Sequence, residues 1–249
     1  DPVCKMSKQI VSGNLVPSLV REAFRIAEEE RPGAVLLELP EDIAAEETDA
    51  EVLNPTERFY AIGCDEVLQL AAAKIKAAKR PLILVGAGAN RRNIRRSISD
   101  FISFTRIPFF CTQMGKGVVD ESSDLFLGTA ALSDKDYLHD YIKVADLIIN
   151  IGHDVVEKPP FFMEHGGTEV IHVNYKSAKV DQIYFPQIEV IGHIMLSLDR
   201  LCELIESPQK YDLSSFEKVK ANVNEKIYEK SDCDDFPMKP QRIVSDIRK

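Results

Sequence analysis

Apolar residues recur along most of this chain in two alternating patterns. Short apolar runs, which indicate strands covered on both faces, lie at 34–39, 81–85, 107–112, 146–151, 169–173 and 188–191. Apolar positions at helical spacing predict amphipathic helices over 16–27, 65–75, 94–102 and 194–205, with a short helix over 134–144. Strands that alternate with helices imply right-handed crossovers and a parallel sheet. The predicted fold class is therefore α/β, a Rossmann-like parallel sheet with helices on both faces.

Breaks in the pattern divide the chain into four parts. Residues 1–50 contain one helix and one strand, too little for a domain, and are predicted to end a domain that begins before residue 1. Residues 51–63 are predicted to be a linker, within an acidic stretch from 41 to 63 that contains Pro55. Residues 64–206 hold the regular alternation, with Asp65 expected to cap its first helix. Residues 207–249 are predicted to connect to a further domain.

Charge and composition narrow the classes of partner. The net charge of -9 argues against nucleic acid, which requires a basic face, and the arginines at 91, 92, 95 and 96 are interpreted as a solvated helix face. No apolar stretch approaches the roughly 20 residues of a membrane span, and no leader pattern opens the chain. The five cysteines are widely spaced, which disfavours structural zinc. A cytoplasmic protein without a membrane partner is expected.

Glycine-containing loops follow three of the predicted strands. Parallel sheets bind ligands at the carboxyl ends of their strands, and glycines let backbone amides approach a phosphate. The candidate cofactor-binding residues are therefore Gly86, Gly88, Gly115, Lys116, Gly152 and His153. A second interpretation remains open, in which the first loop is a tight turn that binds nothing and Lys116 is a solvated loop lysine.

Several kinds of site are disfavoured. The Gly86-x-Gly88 pattern lacks its third glycine, and Gln113 stands where an NAD site needs an acid for the ribose, so an ordinary dinucleotide motif is incomplete. No Walker lysine follows the glycines. His172 alternates within a strand and is expected to be packed or hydrogen-bonded. No triad, paired-carboxylate site or metal cage emerges, so no catalytic or metal-binding residue is assigned.

Ordered sequence blocks across nearly the whole chain resemble the thiamine-diphosphate enzymes of the acetolactate synthase and pyruvate decarboxylase family. The blocks are residues 31–42 (RPGAVLLELPED), 79–88 (KRPLILVGAG), 114–120 (MGKGVVD), Gly128, 145–152 (ADLIINIG) and 240–244 (PQRIV). The resemblance implies that residues 1–50 close a pyrimidine-binding domain. It further implies that 64–206 form the central domain and that 207–249 lead to a pyrophosphate-binding domain.

The resemblance also implies a cofactor. Enzymes of this family use thiamine diphosphate, activated by a glutamate of the pyrimidine domain, and Mg²⁺ held by a Gly-Asp-Gly motif followed by Asn. Gly-Asp-Gly does not occur in these 249 residues. We therefore expect this chain to be a fragment, inactive by itself, of an acetolactate synthase that condenses two pyruvates to 2-acetolactate with release of CO2. In the family the active site lies between subunits, which implies a homodimer or larger homo-oligomer.

Departures from the flavin-containing members put FAD in doubt. Those enzymes carry an Arg-Phe-Asp-Asp-Arg run where this chain has residues 153–157, and Gly-Met-His-Gly where it has Gly128-Thr129-Ala130-Ala131. They also often carry lysine where Glu41 stands. These departures favour the flavin-independent catabolic enzymes over those of branched-chain amino acid biosynthesis. Another thiamine-diphosphate decarboxylase or carboligase and a noncatalytic nucleotide-binding domain remain alternatives. A sirtuin-like deacylase is disfavoured because the cysteines cannot assemble its zinc site.

Overall fold

The computed structural model describes residues 3–55, 60–130, 137–153, 166–179 and 184–248. The chain divides into two compact units, Asp1–Phe59 and Tyr60–Lys249. The division falls inside the stretch that the sequence predicts to be a linker. The four predicted domain boundaries remain predictions.

The smaller unit pairs two short parallel strands beside one helix. Its elements are β1 (Met6–Gln9), α1 (Val16–Glu28), β2 (Val35–Glu38) and α2 (Glu41–Ala44). Pro17 lies in the first turn of α1, where its missing N–H leaves no hydrogen bond unmade. Strand β1 was not predicted, because only Met6 of its four residues is apolar and buried.

One expectation for this unit is wrong in the described residues. Strand β2 was expected to be covered on both faces. Leu36 is nevertheless 53% exposed, because the sheet has only two described strands and a single long helix of this unit to cover it. The acidic stretch from 41 to 63, which contains the predicted linker at 51–63, begins directly after Pro40. It opens with α2, whose first turn carries Glu41 and Asp42, the charge that a helix N-terminus favours.

The larger unit contains the predicted alternation of strands and helices. Its elements are α3 (Asp65–Ala77), β3 (Pro81–Val85), α4 (Arg95–Thr105), β4 (Phe109–Cys111), β5 (Phe126–Thr129), α5 (His139–Val144), β6 (Leu147–Ile151), β7 (Glu169–Asn174), β8 (Ile188–Ile191), α6 (Ile194–Ile205), α7 (Ser214–Tyr228) and α8 (Pro240–Arg248). Strand β5 was not predicted. The predicted helix over 134–144 corresponds to α5 in its second half, and residues 134–136 lie outside the described residues.

The six strands of the larger unit form one parallel sheet in the order β5-β4-β3-β6-β7-β8. Counted within the unit, this is the order 3-2-1-4-5-6 of doubly wound nucleotide-binding folds. The crossovers diverge between β3 and β6, which are neighbours in the sheet. The predicted fold class is confirmed.

Apolar layers cover both faces of the sheet. One layer packs α3, α4 and α6 against Ile83, Val85, Ile149 and Ile151, and the other packs α5 and α7 against Leu82, Leu84 and Ile148. All five residues of β3 and of β6 are buried, which explains why both strands are apolar apart from Asn150. Asp65, expected to cap α3, is instead its first helical residue. Its carboxylate accepts hydrogen bonds from Gln69 and Arg200.

Candidate functional site at the carboxyl edge of the sheet

The loops after β3 and β6 contact each other directly at the point where the crossovers diverge. The Gly88 amide donates a 2.7 Å hydrogen bond to the carbonyl oxygen of Gly152. Gly152 has φ +68°, and a Cβ there would lie 2.3 Å from the Ala89 nitrogen. A Cβ on Gly88 would lie 2.9 Å from the Gly152 oxygen. Only glycine at both positions permits this approach of two backbones.

The other predicted glycines lie at the same edge. The Gly86 amide donates to the carbonyl oxygen of Ile151 at 2.9 Å, and the Gly115 amide donates to the backbone oxygen and the hydroxyl of Thr112. A Cβ on Gly115 would lie 2.1 Å from the Val85 oxygen. The structure therefore brings the four predicted glycines together, and the amides of Gly86, Gly88, Gly115 and Gly152 each donate to groups of this chain.

The polar side chains of these loops also bond to the chain itself. Lys116 forms an ion pair with Glu121 at 2.8 Å, with its side chain 58% exposed. Asn90 donates to the carbonyl oxygen of Met114 at 3.1 Å and accepts from Arg95 at 2.8 Å, and so ties the loop after β3 to the loop after β4. Beneath them, burial raises the pKa of the Cys111 thiol to about 12, so Cys111 is a packed thiol and not a nucleophile.

A row of planar side chains that the sequence did not predict covers the other half of this edge. The Arg91 guanidinium lies 4.3 Å from the ring centroid of Tyr175, and the Tyr175 and His193 rings are 5.6 Å apart. The Tyr60 ring lies 4.3 Å from His193, whose amide donates to the carbonyl oxygen of Ala61. Tyr175 and His193 each follow the end of a parallel strand, which is the sequence signal that could have identified them.

The His153 side chain is buried and does not face a position that a ligand could occupy. Its side chain is 1% exposed, its ring centroid is 5.4 Å from that of Tyr184, and its carbonyl oxygen accepts a 2.8 Å hydrogen bond from Asn174. His172 is buried with both ring nitrogens in hydrogen bonds, so the prediction for that residue is confirmed. Within the described ranges, no three acidic, histidine or cysteine side chains are grouped to hold a metal ion.

Family comparison identifies the larger unit. Residues 68–201, more than half of the chain, match the family model of the central domain of thiamine pyrophosphate enzymes. The chain belongs to the thiamine pyrophosphate enzymes. The matched range spans α3 to α6 and contains the whole six-stranded sheet, so the family match and the sheet order agree. The resemblance inferred from the sequence blocks is confirmed for the family.

Three curated relatives of this thiamine pyrophosphate enzyme are 24–29% identical to it. Glyoxylate carboligase of Escherichia coli O157:H7 is 24% identical over 257 residues, which cover 100% of this chain and 43% of the relative. The catabolic acetolactate synthase of Raoultella terrigena is 29% identical over 222 residues, 85% of this chain and 39% of the relative. Acetolactate synthase of Bacillus subtilis (strain 168) is 27% identical over 203 residues, which cover 80% of this chain and 36% of the relative. This chain spans less than half the length of these relatives.

In the part of the chain that the structure describes, no helix is both long and apolar enough to cross a membrane.

Proposed function

We propose that this chain is the central part of a carboligase of the acetolactate synthase type, which joins two pyruvates with release of CO2. The observation that carries the proposal is the central-domain match over residues 68–201, together with relatives named acetolactate synthase that align over most of the chain. Two pyruvates are the proposed substrates. A cytoplasmic homodimer or larger homo-oligomer, without nucleic acid or membrane partners, is the proposed assembly.

Thiamine diphosphate supplies the electron sink for such a reaction when it is bound. The described residues do not fit the cofactor's metal, because they hold no grouped acidic ligands for Mg²⁺. We propose that thiamine diphosphate and Mg²⁺ are bound by other parts of the enzyme, and that residues 1–249 alone are inactive. In this proposal the central unit is a scaffold whose rigid sheet positions the elements that flank it.

The carboxyl edge of the sheet is proposed to be closed to FAD and to other dinucleotides. The four glycine amides that could approach a diphosphate already donate to this chain, and Arg91 lies on the ring of Tyr175. A ligand would have to break those bonds before it formed its own, and each exchanged hydrogen bond returns little net free energy, roughly 1 kcal/mol. This supports the interpretation of the loops as tight turns over that of a nucleotide site at Gly86, Gly88, Gly115, Lys116, Gly152 and His153.

A second candidate function is that of a glyoxylate carboligase, because the relative of that name aligns with 100% of this chain. The two functions differ in the 2-oxo acid that is consumed. The test uses the full-length product of the gene that encodes residues 1–249, supplied with thiamine diphosphate and Mg²⁺. We expect pyruvate to be consumed with one CO2 released per 2-acetolactate formed. Consumption of glyoxylate in preference to pyruvate would favour the second candidate, and turnover of neither would refute both.

A further inference from the structure

Residues 60–63, the last four of the predicted linker, lie as a strap against the end of β8. Strand β8 is the last strand in the order of the six-stranded sheet, and residues 192 and 193 follow it directly. The His193 amide donates a 2.8 Å hydrogen bond to the carbonyl oxygen of Ala61, and the Tyr60 ring lies 4.3 Å from the His193 ring. The strap lies outside residues 68–201, the range that matches the family model.

Two glycines allow the strap to approach the sheet. Gly192 has no left-handed φ, so glycine is required there by space alone. A Cβ on Gly192 would lie 2.6 Å from the Gly63 nitrogen, 2.7 Å from the Ile62 carbonyl carbon and 2.9 Å from the Ala61 oxygen. Gly63 is itself buried, and a Cβ there would lie 2.9 Å from Val190 Cγ1. The strap is therefore held by a close approach of two backbones.

The strap buries less of itself than the sheet that it contacts. Tyr60, Ala61 and Ile62 are all exposed, whereas all five residues of β6 are buried. Opening the strap therefore uncovers little apolar surface, and opening the sheet uncovers much. Segments with few buried apolar contacts open at a lower free energy than the core does.

Release of the strap would lengthen the connection to the smaller unit, which ends at Phe59. The chain would then leave the larger unit at Cys64, directly before α3, instead of at Tyr60. Helix α3 would stay in place, because Leu68, Ala71 and Ile75 belong to the apolar layer beneath it. Four fully extended residues span at most about 14 Å, which is the reach that the connection would gain.

We propose that the strap is a conformational device that opens and closes as one unit while the sheet stays folded. Closed, it fixes the chain at Tyr60 and places that ring on His193. Open, it extends the connection that precedes the sheet. The inference goes beyond the proposed function, because it rests on the contacts of residues 60–63 and holds whichever 2-oxo acid the enzyme consumes.

Hydrogen exchange followed by NMR tests the separate opening in the wild-type chain. His193 precedes the first residue of α6, and its amide donates to the strap. We expect this amide to exchange through a local opening whose free energy hardly changes with low concentrations of urea. The amides of β6 should exchange more slowly and with a clear dependence on urea, since their opening exposes the core. The same free energy and urea dependence for both would show that the strap opens only with the sheet, and would overturn the proposal.

Gly192→Ala should displace the strap and leave the sheet in place, because the three atoms nearest to its Cβ all belong to the strap backbone. Corrected for intrinsic rates, exchange of the residue 193 amide should speed up at least about tenfold, the effect expected of moderate overpacking. The amides of β6 should keep their wild-type rates. Equal acceleration of both would contradict a strap that opens alone. Gly117→Ala is the matched control, since its Cβ would meet no atom within 4 Å, and it should leave the His193 amide unchanged.

Tyr60 offers a second test that adds no atoms. The ring is 54% exposed, so its removal leaves no cavity in the core. Tyr60→Ala should speed exchange of the His193 amide about fivefold, within the range that the loss of one ring contact implies. Tyr60→Phe retains the ring and should exchange at the wild-type rate. An unchanged rate in Tyr60→Ala, or equal rates in the two variants, would show that the ring does not hold the strap closed, and the proposal would be wrong.

Discussion

Replacing Gly152 by alanine tests whether the two central loops are held together by backbone contact. Gly152 has φ +68°, so any other residue there carries roughly 1–2 kcal/mol of left-handed strain. The new Cβ would lie 2.3 Å from the Ala89 nitrogen and 2.7 Å from the Gly88 carbon, both backbone atoms, so one loop must move. The movement disrupts the 2.7 Å bond between Gly88 and Gly152, worth about 1 kcal/mol, and adds overpacking of about 1–3 kcal/mol.

Gly117 provides the matched control. It has φ +78°, but a Cβ there meets no atom within 4 Å, so Gly117→Ala carries the same strain without the clash. Both variants gain the same small stabilisation through the unfolded chain, which cancels in the comparison. We expect Gly152→Ala to be less stable than Gly117→Ala by about 2–4 kcal/mol.

Urea unfolding followed by circular dichroism measures this difference. With a slope of about 2 kcal/mol per molar urea, the Gly152→Ala midpoint should lie about 1–2 M below that of Gly117→Ala. Equal midpoints would show that the contact between the loops contributes nothing to stability, and would contradict the proposal that this edge is closed.

Three further predictions concern the buried thiol of Cys111, the closed edge of the sheet and the linker. Because burial raises the pKa of Cys111 to about 12, its thiolate is scarce at pH ~8. Iodoacetamide should therefore label the exposed Cys64 long before Cys111 in the folded protein. Comparable labelling rates would contradict the assignment of Cys111 as a buried thiol. The purified chain should be colourless, and added FAD should leave its melting temperature unchanged; a yellow preparation would refute the closed edge. Limited proteolysis should cut first between residues 45 and 63, and a first cut within α3 to α6 would contradict the prediction that 51–63 are a linker.

The regular pattern of the larger unit made most of its fold predictable. Buried parallel strands such as β3 and β6 are buried at every position and, apart from Asn150 of β6, apolar, so their runs are visible without knowledge of the neighbours. Strand β1 escaped prediction because three of its four residues are exposed, and β5 because its four residues include Gly128. In both cases the pairing partner, not the local sequence, decides that the segment is a strand.

The position of the candidate site could be predicted from the sequence, but whether its amides are available to a ligand could not. The rule that loops at the carboxyl ends of parallel strands meet correctly brought Gly86, Gly88 and Gly152 to one place. Sequence could not show that their amides bond to this chain, because that depends on the 2.7 Å approach of two loops far apart in sequence. The approach of Gly63 to Gly192 likewise joins segments that are far apart in sequence.

We propose that this chain is the central part of a thiamine-diphosphate carboligase and that the cofactor is bound elsewhere in the enzyme. Calorimetric titration of residues 1–249 and of the full-length gene product with thiamine diphosphate and Mg²⁺ tests it most directly. We expect no binding heat for residues 1–249 and saturable binding for the full-length product. Micromolar binding by residues 1–249, or none by the full-length product, would contradict it.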